Sequence, residues 1–280
     1  MEEEKYRLMY QLLALDLDGT LLNRKGKLSE GNRQALLGAM ARGIHVCIAT
    51  GRALDTIPQE VLTVPGIEFV ITGNGSAVFH LPEKKRLRSL LLTATEVRAV
   101  LEATKKYGVA YEAFAEGKAY GGREYIEDPI RFGASQAAVA YIRSTRRPVD
   151  DIEAFMLTHE LDAMDIVVKS REIEQQVTEA IAQSGAEVYL TSSVPHLVEI
   201  SHRDSGKAGG VKYLADMLGI EPQEVMAFGD AGNDREMLLY AGCGVAMGNA
   251  SESLRAIADF VTLHHEADGV AHAMKLLMGE

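Results

Sequence analysis

Leu12-Leu13-Ala14-Leu15-Asp16-Leu17-Asp18-Gly19-Thr20 sets four apolar residues before the first charge and closes on a Gly-Thr turn. Leu12 to Leu17 therefore reads as a short buried strand that runs into a turn bearing two carboxylates. Working outward, Ser29 can cap a helix that stops at Gly43. Ile44 to Ala49 is a second apolar strand, a helical stretch follows, and Phe69 to Thr72 is a third strand. Strands alternating with helical patterns at this rhythm predict βαβ units and a parallel sheet. Carboxylates at the carboxyl edge of such a sheet lie where these folds hold their ligands. Asp-Gly is also a common turn dipeptide, so Asp18-Gly19 taken alone is better read as a solvated strand-end turn.

The same grammar returns towards the other end of the chain. A helix from about Lys207 to Leu218 precedes a strand Val225 to Phe228, a helix from about Asp234 to Ala241, and the short strands Gly244 to Met247 and Phe260 to Thr262. Residues 1–84 and 191–280 are thus expected to form one α/β unit, a Rossmann-like doubly wound parallel sheet. Between them the texture changes. Thr93 and Glu96 have capping-box spacing at the head of a helix ending near Gly108, and Val109 to Ala113 and Lys118 to Gly121 flank a turn at Glu116-Gly117. A helical stretch around Ala134 to Arg146, an apolar run Ala163 to Val168, a helix Arg171 to Ser184 and a strand Val188 to Thr191 follow. Residues 85–190 are expected to be an inserted α+β domain.

Composition narrows the function. A chain of 280 residues with 47% hydrophobic and 25% charged residues is an ordinary globular protein of about two domains. The formal charge of −11 disfavours nucleic acid as a partner. Cys47 and Cys243 each sit inside an apolar run and read as buried thiols, which fits a reducing compartment. Met1 to Arg7 is highly charged and unlike a signal peptide, and no stretch reaches the ~18 apolar residues of a membrane span. A soluble, cytoplasmic protein is the expectation.

A second motif, Gly229-Asp230-Ala231-Gly232-Asn233-Asp234, also follows a buried strand directly. If both strand ends face one crevice, Asp16, Asp18, Asp230 and Asp234 meet, and their repulsion calls for a cation. Oxygen ligands with waters completing the shell suit Mg²⁺ better than zinc. Thr50 begins Thr50-Gly51-Arg52, where a hydroxyl and free amides at a helix N-terminus can receive an anion; a plain N-cap is the equal alternative. Lys207 falls in the first turn of a helix, where a cation opposes the macrodipole unless it serves a nearby anion; by itself it is also an ordinary surface lysine. Gly206-Lys207-Ala208 is not a P-loop, because Ser201 stands at the first glycine position and Ala208 at the metal-binding hydroxyl position.

Asp-x-Asp-Gly-Thr at 16–20, Thr-Gly-Arg at 50–52, the lone Lys207 and Gly-Asp-x-x-Asn-Asp at 229–234, in this order, resemble the haloacid dehalogenase superfamily of phosphohydrolases. The long insert between the second and third elements is similar to the Cof-type branch with its class IIB cap, as are Asn74-Gly75, Gly248-Asn249-Ala250 and Asp268-Gly269-Val270-Ala271. The sequence departs from the pattern at Ser76, where alanine is common, and in the charged stretch His202-Arg203-Asp204-Ser205.

The resemblance implies a Rossmann-like core under a mobile cap and a Mg²⁺-dependent phosphatase of a small phosphorylated metabolite: a sugar phosphate, a nucleotide or a cofactor phosphate. It implies Asp16 as the nucleophile that becomes an aspartyl phosphate and Asp18 as acid and base. It implies Mg²⁺ on a carboxylate oxygen of Asp16, the main-chain carbonyl of Asp18 and Asp230, with Asp234 holding a water or the lysine. Thr50, Gly51, Lys207 and Asn233 would surround the phosphoryl oxygens. A phosphosugar mutase of the same superfamily and a receiver-like phosphate- or metal-binding module are the alternatives. Within the insert, Glu112, Tyr120, Arg123 and Tyr125 are polar candidates for specificity, with exposed polar loop residues as the more ordinary reading of each.

Overall fold

The computed structural model describes residues 10–279, so the charged stretch Met1–Arg7 lies outside the described residues. The strand read from the first motif is β1 (Leu12–Leu15), and it sits inside a sheet rather than at its rim. Leu13 and Leu15 enter one apolar cluster and Leu12 and Ala14 the other, which explains an unbroken apolar run in place of alternation. β2 (His45–Ala49) and β3 (Phe69–Thr72) extend the sheet on one side. The antiparallel strands β4 (Ala77–His80) and β5 (Lys85–Ser89) finish that side.

The second sheet belongs to the middle of the chain. Its strands are β6 (Ala110–Ala115), β7 (Lys118–Gly122), β8 (Arg147–Val149), β9 (Ala163–Val167), β10 (Val188–Thr191) and β11 (Leu197–His202), in the order β10-β11-β9-β6-β7-β8. The chain then returns to the first sheet with β12 (Val225–Gly229), β13 (Cys243–Ala246) and β14 (Phe260–Val261), giving the order β14-β13-β12-β1-β2-β3-β4-β5. Strand order reverses between β1 and β12, which pair in parallel with Leu15 opposite Phe228. Their carboxyl ends therefore open on one crevice, the switch point at which doubly wound sheets hold ligands.

Helices cover both faces of the first sheet. Helix Glu30–Ala41 starts at Ser29, whose hydroxyl accepts the Asn32 amide at 3.1 Å, and packs Ala35, Leu36 and Ala39 with Val270 and Met274 of helix Gly269–Met278. Helices Lys207–Leu218 and Arg235–Tyr240 bring Val211, Leu214 and Met237 to the opposite face. In the second sheet, helices Ala94–Thr104 and Arg171–Gln183 cover one face, the first held by the Thr93–Glu96 capping box at 3.2 and 2.7 Å.

Sheet membership shifts the expected boundaries of the insert. β5 pairs with β4 in the first sheet, so the change of sheet comes after Ser89 rather than at 85. β11 pairs with β9 and β10 in the second sheet, so the return comes after His202 rather than at 190. Two sequence features hid this: the charges Lys85, Arg86 and Arg88 mask an edge strand, and Glu199 and Ser201 interrupt the apolar run of β11. The helical stretch around Ala134 to Arg146 is helical only over Val139–Thr145. Among the described residues no helix is long and apolar enough to cross a membrane.

Candidate active site

Asp16 follows β1 and is anchored by its own amide, which donates to Phe228 O at 3.0 Å across to β12. Gly19 then turns with φ of +82°, and a Cβ there would fall 2.4 Å from Asp230 Oδ2, so only glycine lets the first motif fold over the second. Thr20 Oγ1 donates to Asp230 Oδ1 at 3.3 Å. Asn249 Nδ2 bridges Gly19 O at 2.8 Å and Asp230 Oδ2 at 3.0 Å.

Asp234 turns back on its own loop. Its Oδ2 accepts the amides of Asp230 and Ala231 at 2.9 and 3.0 Å, leaving Oδ1 for Lys207 Nζ at 2.7 Å. The same ammonium donates to Asp16 Oδ1 at 2.6 Å. Lys207 is 1% exposed, so it is a buried counter-charge and not a surface lysine. Its helix is brought in by Gly75, whose φ is +95° and where a Cβ would lie 2.1 Å from Gly206 O.

Asp16, Asp230 and Asp234 offer carboxylate oxygens within 4.8 Å of one another. Burial first, and then the charges of Asp234 and Asp230, push the Asp16 carboxyl well above its usual range against the pull of Lys207. Burial and Asp234 likewise raise Asp230 to about 6. Burial works against the charge on Lys207, but Asp16 and Asp234 outweigh it and raise its pKa. One ammonium pairs with two of the three carboxylates, and among the described residues the buried Asp16 Oδ2 has no hydrogen-bond partner. An all-oxygen set with surplus negative charge and an orphaned oxygen fits a hard divalent cation.

The side chain of Asp18 is not part of this trio. Its carboxylate is half-exposed and held bidentately by Arg52, Nε to Oδ2 and Nη2 to Oδ1 both at 2.7 Å. The expected helix N-terminus at Thr50-Gly51 is also absent: these loop residues lead through Ala53 into a single 3₁₀ turn, Leu54–Thr56, because Pro58 and the short helix Gln59–Leu62 follow at once. Any anion there meets loop amides. Thr50 Oγ1 accepts the Arg52 amide at 3.1 Å. Asn233 Nδ2 donates to Asn74 Oδ1 at 3.0 Å, and its own buried Oδ1 has no partner among the described residues.

Asp16, Asp18, Thr50, Gly51 and Asn233 open onto one cavity of about 820 Å³ whose opposite wall comes from the second sheet. Of the polar candidates in the insert, Glu112 and Tyr125 line it, whereas Tyr120 packs on Phe155 with ring centres 4.5 Å apart and Arg123 pairs with exposed Asp150 at 2.6 Å. Sequence reasoning missed Asp165, Glu199, Arg146 and Tyr141 in that wall. The available signal was a lone carboxylate in an apolar strand, as in Ala163-Met164-Asp165-Ile166-Val167.

Residues 13–274 match the haloacid dehalogenase-like hydrolase family. Phosphatase YwpJ of Bacillus subtilis (strain 168) is 35% identical over 297 aligned positions, covering 96% of this chain and 100% of that protein. The solved structure of a haloacid dehalogenase-like hydrolase from B. subtilis superposes with a TM-score of 0.83 at 31% identity, over 95% of this chain and 99% of that one. The subclass IIB sugar phosphatase BT4131 superposes with a TM-score of 0.80 at 26% identity, over 95% and 98%. The chain therefore belongs to the haloacid dehalogenase-like hydrolases, as a phosphatase of the Cof-type branch.

Proposed function

We propose that the chain hydrolyses a small phosphorylated metabolite in the cytoplasm, with Mg²⁺ as cofactor and Asp16 as the residue that accepts the phosphoryl group. The observation that carries this reading is the buried Asp16 carboxylate, which lines the cavity, is oriented by Lys207 on Oδ1, and among the described residues has no hydrogen bond to Oδ2. The ion would be held by Asp16, the Asp18 main-chain carbonyl and Asp230, with Asp234 fixed by its loop amides and Lys207. When bound, Mg²⁺ supplies positive charge to the phosphoryl oxygens and to the crowded carboxylates.

Asp16 attacks phosphorus in line and the ester oxygen leaves, so one hard displacement becomes two easier ones. Asp18 gives its proton to the departing alcohol oxygen and then takes one from the water that opens the aspartyl phosphate. Arg52 holds the Asp18 carboxylate turned aside through two hydrogen bonds, so this contact has to open before Asp18 reaches the departing oxygen. Lys207, Asn233 and the Thr50-Gly51 loop donate to the phosphoryl oxygens, where fixed donors gain most as charge redistributes. The second sheet forms the opposite wall of the cavity, where it would contact the alcohol end of the substrate.

The cytoplasmic setting is supported by the free, buried thiols Cys47 and Cys243. Screening a phosphomonoester panel with Mg²⁺ and reading released phosphate tests the proposal. Multiple turnovers without a phosphorylated sugar activator are expected; turnover only in the presence of such an activator would assign a mutase instead.

A further inference from the structure

Three carboxylates stand in a row across the second sheet. The strand register sets Glu112 of β6 opposite Asp165 of β9, and Asp165 opposite Glu199 of β11, so all three project from one face. Each is at most 6% exposed, and each lines the cavity that holds Asp16. Like charges directly opposite each other destabilise a sheet, and burial magnifies the effect.

Their compensation is incomplete. Arg146 is committed to Glu112, with Nε and Nη2 both on Oε2 at 2.8 and 2.5 Å, and its guanidinium lies over the rings of Phe114 and Tyr141. Arg52 is committed to Asp18, and Lys207 to Asp16 and Asp234. Glu199 Oε1 accepts Asn74 Nδ2 at 3.1 Å and Ser193 lies close enough to favour the charged carboxylate, while among the described residues the buried Oε2 has no hydrogen bond of ordinary geometry. Burial and the two neighbouring carboxylates push Asp165 well above its ordinary range, and burial raises Glu199 as well.

We infer that this wall takes a protonated amine, so that the preferred substrate is a phosphomonoester whose alcohol part carries an ammonium group. The inference rests on the reading of Asp16 as the phosphoryl end of the same cavity. A neutral polyol would donate hydrogen bonds to the row but leave its charge in place. An ammonium donates up to three hydrogen bonds and also offsets the repulsion that Asp165 and Glu199 exert on each other and on an incoming phosphate.

The geometry also limits the substrate's length. Asn74 joins Glu199 to Asn233, and a Cβ on Gly51 would lie 2.7 Å from Glu199 Oε1, so the row begins beside the phosphoryl-binding loop and leads away from it. A compact amino alcohol or amino sugar phosphate satisfies both ends.

Matched pairs test this: glucosamine 6-phosphate against glucose 6-phosphate, and phosphoethanolamine against ethylene glycol monophosphate. The ratio of kcat/KM, amine over hydroxyl, should be roughly 10 to 100 in the wild-type protein and fall towards one in Asp165→Asn and Glu199→Gln. A wild-type ratio of one or less, or a preference that survives both substitutions, overturns the inference. Calorimetry of the same pairs on Asp16→Asn reads the preference without turnover, and equal affinities or no binding of either amine there also overturn it. Absence of p-nitrophenyl phosphate hydrolysis by the wild type, with an intact amine preference in that titration, would refute the phosphatase reading alone. Asp165→Asn should also raise Tm at pH 8, since it removes a like charge from between two others; a fall in Tm counts against the row as repulsive.

Discussion

Replacing Lys207 by methionine keeps the aliphatic stem and removes the charge that serves both Asp16 and Asp234. The ammonium is 1% exposed and lies 2.6 and 2.7 Å from the two carboxylates, so no solvent stands ready to replace it. Breaking a buried ion pair from one side typically costs about 3–5 kcal/mol, because the partner charges stay behind. At roughly 2–4 °C per kcal/mol for a unit of this size, Tm at pH 8 should fall by about 6–20 °C. The deficit should shrink at pH 5. The Asp16 carboxyl already titrates well above its unfolded value in the intact site. Its ionisation therefore costs stability as pH rises through the folded pKa, and protonation at lower pH removes the charge that the variant leaves unpaired. Differential scanning fluorimetry of both proteins at the two pH values, without divalent ions, measures this. A Tm within a degree of wild type at pH 8, or equal deficits at both pH values, would refute the assignment of Lys207 as a buried counter-charge.

The remaining predictions concern the acid, the metal and the backbone. Asp18→Asn should slow single-turnover release of a sugar alkoxide by about 10²–10⁴-fold while sparing p-nitrophenolate, which departs without a proton; equal damage to both contradicts general acid catalysis by Asp18. Chelation should silence turnover and Mg²⁺ restore it, with Ca²⁺ a poor substitute because it tends to take carboxylates bidentately and would occupy the attacking oxygen. Because the Asp230 carboxyl is raised to about 6, stability of the metal-free protein should fall as pH rises from about 4 through 6, and added Mg²⁺ should raise Tm more at pH 7.5 than at pH 5. Gly75→Ala forces a Cβ towards Gly206 O at a φ of +95°, and it should cost at least about 2 kcal/mol in chemical denaturation and displace Lys207 from the site.

The carboxylate cluster around Asp16 was legible because its residues are local in the chain. Asp16 and Asp18 leave one strand, Asp230 and Asp234 follow another, and each pair announces itself as a charged turn after an apolar run. Lys207 was legible for a different reason, as a cation placed against a helix dipole. The cavity's far wall was not legible, because Glu112, Asp165 and Glu199 sit on three separate strands and only antiparallel register unites them. Nor does a motif show that Arg52 draws the Asp18 side chain away from the other carboxylates. The missed strands follow the same logic. β1 is buried on both faces and reads as a continuous apolar run, whereas β5 and β11 carry charges that a one-dimensional pattern assigns to loops.

The identity of the phosphorylated residue tests most directly whether Asp16 is the phosphoryl acceptor. Asp18→Asn protein is mixed with p-nitrophenyl phosphate and Mg²⁺, quenched in acid, reduced with borohydride and read by peptide mass spectrometry. An aspartyl phosphate is an acyl phosphate, and reduction converts it to homoserine, so homoserine at position 16 is expected after a burst of p-nitrophenol. A burst with Asp16 recovered unchanged, or with the phosphoryl group on another residue, would contradict it.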